Sequence, residues 1–261
     1  MDDKTAALVG SKEELKTWLA GHVENTLLYP TINAADIKKF VGETADAGIS
    51  HICIPITFVE SAKREVEEKG LQIDIVTVIG FPHGNEMTTG EKEMQVEDAA
   101  AYGAAEVDFV TNIGLFRTDA DAFKEEVKRL ANAAHMNRMK IKAILETYYL
   151  SNREIRDMAH TCELSEIDFI KTSTGFAVKG MNNTERSPDI TGADLDAIRV
   201  ISSGVSQDYK EQHGLKAAGG IRSLGQVKDI LGVCGEEGWN VNNIRIGASS
   251  GTKIVGEAAG L

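Results

Sequence analysis

Apolar residues in this chain fall into short runs, and between the runs lie longer stretches in which apolar and polar residues alternate at helical spacing. The short runs, at residues 23–28, 51–56, 73–79, 106–112, 140–146, 167–171, 214–217 and 244–247, are rich in β-branched residues and flanked by turn formers. They read as strands. The longer stretches predict helices over 33–47, 58–69, 88–102, 119–136, 151–163, 194–201 and 223–234, with a short last one from 249 or 250. Asn33 suits a helix N-cap, and Gly48, Gly70 and Gly103 suit helix stops. Ahead of the first strand, Ser11-Lys12-Glu13-Glu14 has the spacing of a capping box and predicts a short helix to about Ala20.

Strand and helix thus alternate eight times, with a period of roughly 30 residues and no shift in composition to mark a linker. Such alternation predicts a parallel sheet. Eight units closing on themselves make a TIM (β/α)8 barrel, here one α/β domain over residues 1–261 with the short helix in front. An open doubly wound sheet is the structural alternative, but its GxGxxG turn after the first strand is missing.

A barrel places its active site at the C-terminal strand ends. The sixth strand ends in Lys171, followed by Thr172-Ser173-Thr174-Gly175. A lysine there is costly to desolvate, and a free amine in such a place can attack a carbonyl. The seventh strand carries Lys216, and sequential strands are neighbours. If both lysines point inward, their ammonium groups lie within a few ångströms, and one should lose its proton more readily. Asp108, two strands earlier, is the candidate proton carrier. A purely structural reading, a core carboxylate paired with a lysine, stands beside this one.

Gly219-Gly220 and Gly247-Ala248-Ser249-Ser250-Gly251 follow strands seven and eight, where barrels tend to hold phosphate. Glycine lets backbone N–H groups approach the oxygens, and serine adds donors. Gly219, Gly220, Ser249 and Ser250 are therefore candidate phosphate ligands, with Thr26, Thr174 and Gly175 as further substrate contacts at their strand ends. Arg222, and Lys179 or Arg186 on the long loop after strand six, are further sources of charge. Glu146 and Asp108 could instead be the paired acids of a glycosidase, but that leaves both lysines and the glycine loops without a role.

Composition narrows the choice. The 261 residues carry a net charge of -12, which argues against nucleic acid as the main partner. No apolar run is long enough to span a membrane, and Met1-Asp2-Asp3-Lys4 does not resemble a signal peptide. Cys53, Cys162 and Cys234 form no CxxC pair, which fits a reducing, cytoplasmic setting. The six histidines show no HxH or HExxH spacing, so no metal is expected, and His83 is expected to bond its own loop backbone.

Several segments together resemble the deoxyribose-phosphate aldolase family of class I aldolases. They are Thr77-Val78-Ile79-Gly80-Phe81-Pro82-His83-Gly84, Glu106-Val107-Asp108, Ile144-Leu145-Glu146-Thr147, Asp168-Phe169-Ile170-Lys171-Thr172-Ser173-Thr174-Gly175, Lys216-Ala217-Ala218-Gly219-Gly220-Ile221-Arg222 and Gly247-Ala248-Ser249-Ser250. The resemblance runs from about Glu24 to Gly251. It implies a Schiff base on Lys171, tuned by Lys216, with Asp108 in the proton relay and no cofactor. It also implies reversible cleavage of a small phosphorylated sugar, 2-deoxy-D-ribose 5-phosphate, to acetaldehyde and D-glyceraldehyde 3-phosphate, by a homo-oligomer, a dimer. A Schiff-base aldolase for a different phosphorylated or acidic aldehyde, and a barrel that binds a phosphosugar without turnover, are the alternatives. The chain departs from the family pattern at Glu24-Asn25, at Cys53-Ile54-Pro55-Ile56, and in a longer loop over residues 176–189.

Overall fold

The computed structural model describes residue 5 and residues 10–183, 185 and 187–260, so the acidic N-terminus and Arg186 lie outside the described residues. Eight parallel strands, β1 (Val23–Thr26), β2 (His51–Ile54), β3 (Asp74–Ile79), β4 (Glu106–Val110), β5 (Lys140–Ile144), β6 (Phe169–Lys171), β7 (Gly214–Ala218) and β8 (Ile244–Ala248), close in sequence order into a barrel. Helix α1 (Lys12–His22) precedes β1. Around the barrel run α2 (Ala34–Asp46), α3 (Val59–Glu68), α4 (Thr89–Ala101), α5 (Ile113–Thr118), α6 (Ala120–Met136), α7 (Asn152–Leu164), α8 (Leu195–Ser203), α9 (Gln207–Gln212), α10 (Leu224–Glu236) and α11 (Gly251–Gly260). The TIM barrel and its leading helix are as the alternation predicts. No helix among the described residues is long and apolar enough to cross a membrane.

The helix starts follow from local chemistry. Asn33, Thr88 and Ser151 close full capping boxes with Asp36, Glu91 and Glu154, satisfying N–H groups that a first helical turn leaves free. At α1 only half of the expected box forms: Ser11 Oγ accepts from the Glu14 N–H at 3.3 Å, and no return bond is made. Two helices go beyond the expected set. Asn112 does not extend β4 but caps α5, accepting from the Leu115 N–H at 2.9 Å. Ser206 caps α9 in a region the periodicity leaves unassigned.

Side chains alternate across each strand, so every strand has a helix-facing and an axis-facing set. The helix-facing set is apolar: Ile52, Ile75, Val107, Ile141, Ile170, Leu215 and Ile246 are 0–1% exposed and pack under the helices. The axis-facing set is largely charged. Branched aliphatic residues usually fill a barrel interior. Here Glu24, Glu106, Asp108, Lys142, Lys171, Lys216 and Arg245 lie buried inside it. Gly247 makes room for them, since a Cβ at this position would come within 2.9 Å of the Lys216 Cε.

Candidate active site

Lys171 and Lys216 are direct partners in the β6–β7 register, and Asp108 is paired with Lys142 between β4 and β5. This brings the expected triad together. Asp108 Oδ2 accepts from Lys171 Nζ at 2.8 Å and from Lys216 Nζ at 2.7 Å. Lys216 also donates to Glu24. Beneath them Lys142, with no exposed surface, donates to Glu106 and faces Asp108 Oδ1 at 3.1 Å and Glu24 Oε1 at 3.3 Å. Those last two oxygens receive no aligned hydrogen bond, so their contact with Lys142 is Coulombic. Arg245, stacked 5.5 Å above the Phe169 ring, lies 4.0 Å from Glu24 Oε1.

The electrostatics involve an anion that strand alternation alone does not show. Two inward lysines should repel, yet a carboxylate sits between them. Burial pulls Lys216 down, but Asp108 and Glu24 outweigh it and hold Lys216 above the ordinary lysine value. Burial likewise opposes ionisation of Asp108, and Lys142, Lys171 and Lys216 overcome it, leaving Asp108 well below the usual carboxylate range. Lys142 is raised by Asp108, Glu106 and Glu24 against its burial. Glu106 is lowered to about 2, its desolvation overridden by Lys142. The sequence reading did not single out Lys142, Glu106 or Arg245, and it left Glu24 without a role.

Above this ionic layer a cavity of about 230 Å³ opens at the C-terminal face. Lys171 and Lys216 form its floor. Thr26, Thr174, Gly175, Gly219, Gly220 and Ser249 stand in its wall, as expected, together with Phe176 and Arg222. Two candidates do not reach the wall. Asp108 is fully buried behind the lysines. Ser250 does not line the cavity, and its carbonyl accepts from the Ile254 N–H of α11 at 3.0 Å. Lys179 is exposed on the long loop and does not line the cavity. Gly219 and Gly220 adopt φ of +91° and +73°, a region that disfavours a side chain. A Cβ at Gly220 would meet nothing within 4 Å, because it would project into open space.

Glu146 stands at the edge of this arrangement. It adopts φ +57° after β5, and its carboxylate accepts from the Thr174 N–H at 3.2 Å and from the Thr174 hydroxyl. The same hydroxyl accepts from the Phe176 N–H at 2.9 Å. Burial pushes Glu146 up to about 7, against the bonds from Thr174 and the charge of Lys171. Asp108 and Glu146 therefore do not form the paired acids of a glycosidase, because Asp108 is enclosed by lysines and has no exposed surface. His83 is exposed and lines a neighbouring cavity of about 610 Å³ with Glu146 and Arg117. Its ring makes none of the expected bonds to the loop backbone.

Acids grouped with a thiol can suggest a metal site. Glu24, Cys53 and Asp108 present ligand atoms within 4.8 Å of one another. Both acids are already held by lysines, and burial, ahead of the nearby charges, pushes the Cys53 thiol up to about 11. A cation would have to displace those lysines, so the donor set does not fit one.

The sequence model of the DeoC/LacD family of aldolases matches residues 10–254. Deoxyribose-phosphate aldolase 2 of Bacillus licheniformis is 34% identical over 242 residues, 93% of this chain and 96% of that protein. The deoxyribose-phosphate aldolase of Thermococcus kodakarensis is 33% identical, over 92% of this chain and 96% of its own length. Among solved structures, QR15, an aldolase, superposes with a TM-score of 0.75 at 30% identity, covering 92% of this chain and 95% of that one.

Proposed function

Because the chain belongs to the DeoC/LacD family of aldolases, we propose that it reversibly cleaves 2-deoxy-D-ribose 5-phosphate to acetaldehyde and D-glyceraldehyde 3-phosphate through an imine on Lys171. The observation that carries this reading is the position of Lys171. It lines the cavity and touches a single carboxylate, which it shares with Lys216. The neutral amine of Lys171 attacks the C1 carbonyl, and loss of water gives an imine whose protonated nitrogen is an electron sink. The C3 hydroxyl gives up its proton and the C2–C3 bond breaks. Glyceraldehyde 3-phosphate leaves, and an enamine remains on Lys171. Protonation at C2 and hydrolysis then release acetaldehyde.

Lys216 is on the cavity floor and bonded to Asp108, so this pair is placed to pass the protons of these steps. The phosphate is held by the N–H groups of Gly219 and Gly220, the hydroxyl of Ser249 and the charge of Arg222, which line the same cavity. The family resemblance supports a homo-oligomer, a dimer, as the working form, and the three free, buried cysteines support a cytoplasmic setting. Assay of the purified protein against deoxyribose 5-phosphate tests the reading. Wild type should release acetaldehyde, and Lys171→Arg should be inactive, because a guanidinium stays protonated and forms no imine. A Lys171→Arg rate within tenfold of wild type contradicts it.

A further inference from the structure

The ionic layer inside the barrel does not balance when every group is charged. Its carboxylates are Glu24, Glu106 and Asp108, and its cations are Lys142, Lys171, Lys216 and Arg245. That leaves one positive charge in excess, in a place where an uncompensated charge is costly. Below neutral pH, where the acid limb lies, the other titratable groups facing the layer do not remove it. The Cys53 thiol stays neutral, its burial outweighing the charges around it. His51 is held below its ordinary value, by burial first and Arg245 second. Lys140 and Asp74 lie at the exposed strand starts, where water screens them. Glu146 faces Lys171 without touching it and is largely uncharged below its value of about 7.

The lysines differ in how many carboxylates they touch. Lys142 touches three carboxylates and Lys216 touches two. Lys171 touches one, and it lines the cavity, where a proton can leave. We infer that Lys142, which never reaches the cavity, is a positioning residue: its fixed positive charge fills the last place among the three carboxylates, so the layer is neutral only when Lys171 is a free amine. This rests on the reading of Lys171 as the imine-forming residue. Lys142 also faces Asp108 Oδ1, which keeps Oδ2 turned toward the two cavity lysines.

The test is the acid limb of kcat/KM against pH for deoxyribose 5-phosphate in Lys142→Met, Glu106→Gln and the double variant. Lys142→Met removes a cation, so Lys171 keeps its proton to higher pH and the limb moves upward by about one pH unit, a tenfold loss of rate on the limb. Glu106→Gln removes an anion and moves the limb the other way. The double variant restores the balance and returns the limb to near the wild-type position. The phosphate of the substrate titrates in the same range, but identically for every variant. A merely structural role for Lys142 would lower the rate at all pH values without displacing the limb. Movement of both single variants in the same direction, or no movement, overturns the inference. If Lys142→Met does not fold, as read by circular dichroism, Glu106→Gln and the double variant decide it by the downward shift and its reversal. Borohydride reduction of wild type with acetaldehyde is run alongside. Failure to modify Lys171 would refute the imine reading itself, whereas modification without any displaced limb would refute only the role of Lys142.

Discussion

Glu146→Gln isolates the cost of one buried carboxylate. Burial, opposed only by Thr174 and the distant charge of Lys171, moves Glu146 from an ordinary 4.5 to about 7. The folded protein therefore binds this proton more tightly than the unfolded chain does. Between those two values the folded state carries more protons, so stability from this group is complete below pH 4.5 and is lost as pH rises to 7. At 1.36 kcal/mol per pH unit the loss amounts to about 3 kcal/mol. Glutamine has nearly the same shape, and its carbonyl can accept from the Thr174 N–H and hydroxyl. It has no charge to desolvate. Urea unfolding of both proteins at pH 5 and pH 8 measures the effect, because all other titrating groups cancel in the difference. The variant should gain about 2–3 kcal/mol on wild type between pH 5 and pH 8. An equal difference at the two pH values would show that Glu146 is not desolvated as the structure has it.

Asp108→Asn should cost about 3–5 kcal/mol at neutral pH, because the buried Lys171 and Lys216 lose their shared anion. As a depressed carboxylate, Asp108 contributes its stability above its unfolded value near 3.8 and loses it as pH falls further, so the gap measured by urea unfolding should narrow in acid. Unphosphorylated deoxyribose should react with wild type more slowly by roughly two to four powers of ten in kcat/KM, about 3–5 kcal/mol of lost orienting interaction. Gly220→Val, which puts a branched side chain on the cavity lining and strains a backbone at φ +73°, should erase most of that preference in a side-by-side assay of the two sugars.

The barrel was legible because each strand and helix declares itself locally, through run length, caps and period. Lys171, Lys216 and Asp108 were legible for a related reason: charged residues inside short apolar runs need an explanation, and strand alternation points them inward. The lower half of the ionic layer was harder to read. Glu106, Lys142 and Arg245 also sit at alternate positions on their strands, which is the signal that was available. Their mutual contacts depend on the register between strands, however, and a single strand does not contain that information. The anion between the two lysines was hidden for the same reason, since the carboxylate between Lys171 and Lys216 comes from β4. Helices α5 and α9, six residues each, are too short to show a period, and their caps Asn112 and Ser206 read equally well as loop residues.

The central claim is that Lys171 forms an imine with an aldehyde in the cavity. Incubation of the protein with acetaldehyde and sodium borohydride, followed by mass spectrometry of its peptides, tests it directly. The account predicts one ethyl group on Lys171, and none on Lys142 or Lys216, which hold their protons among carboxylates. An unmodified Lys171 peptide, or an ethyl group on Lys216 instead, would contradict it.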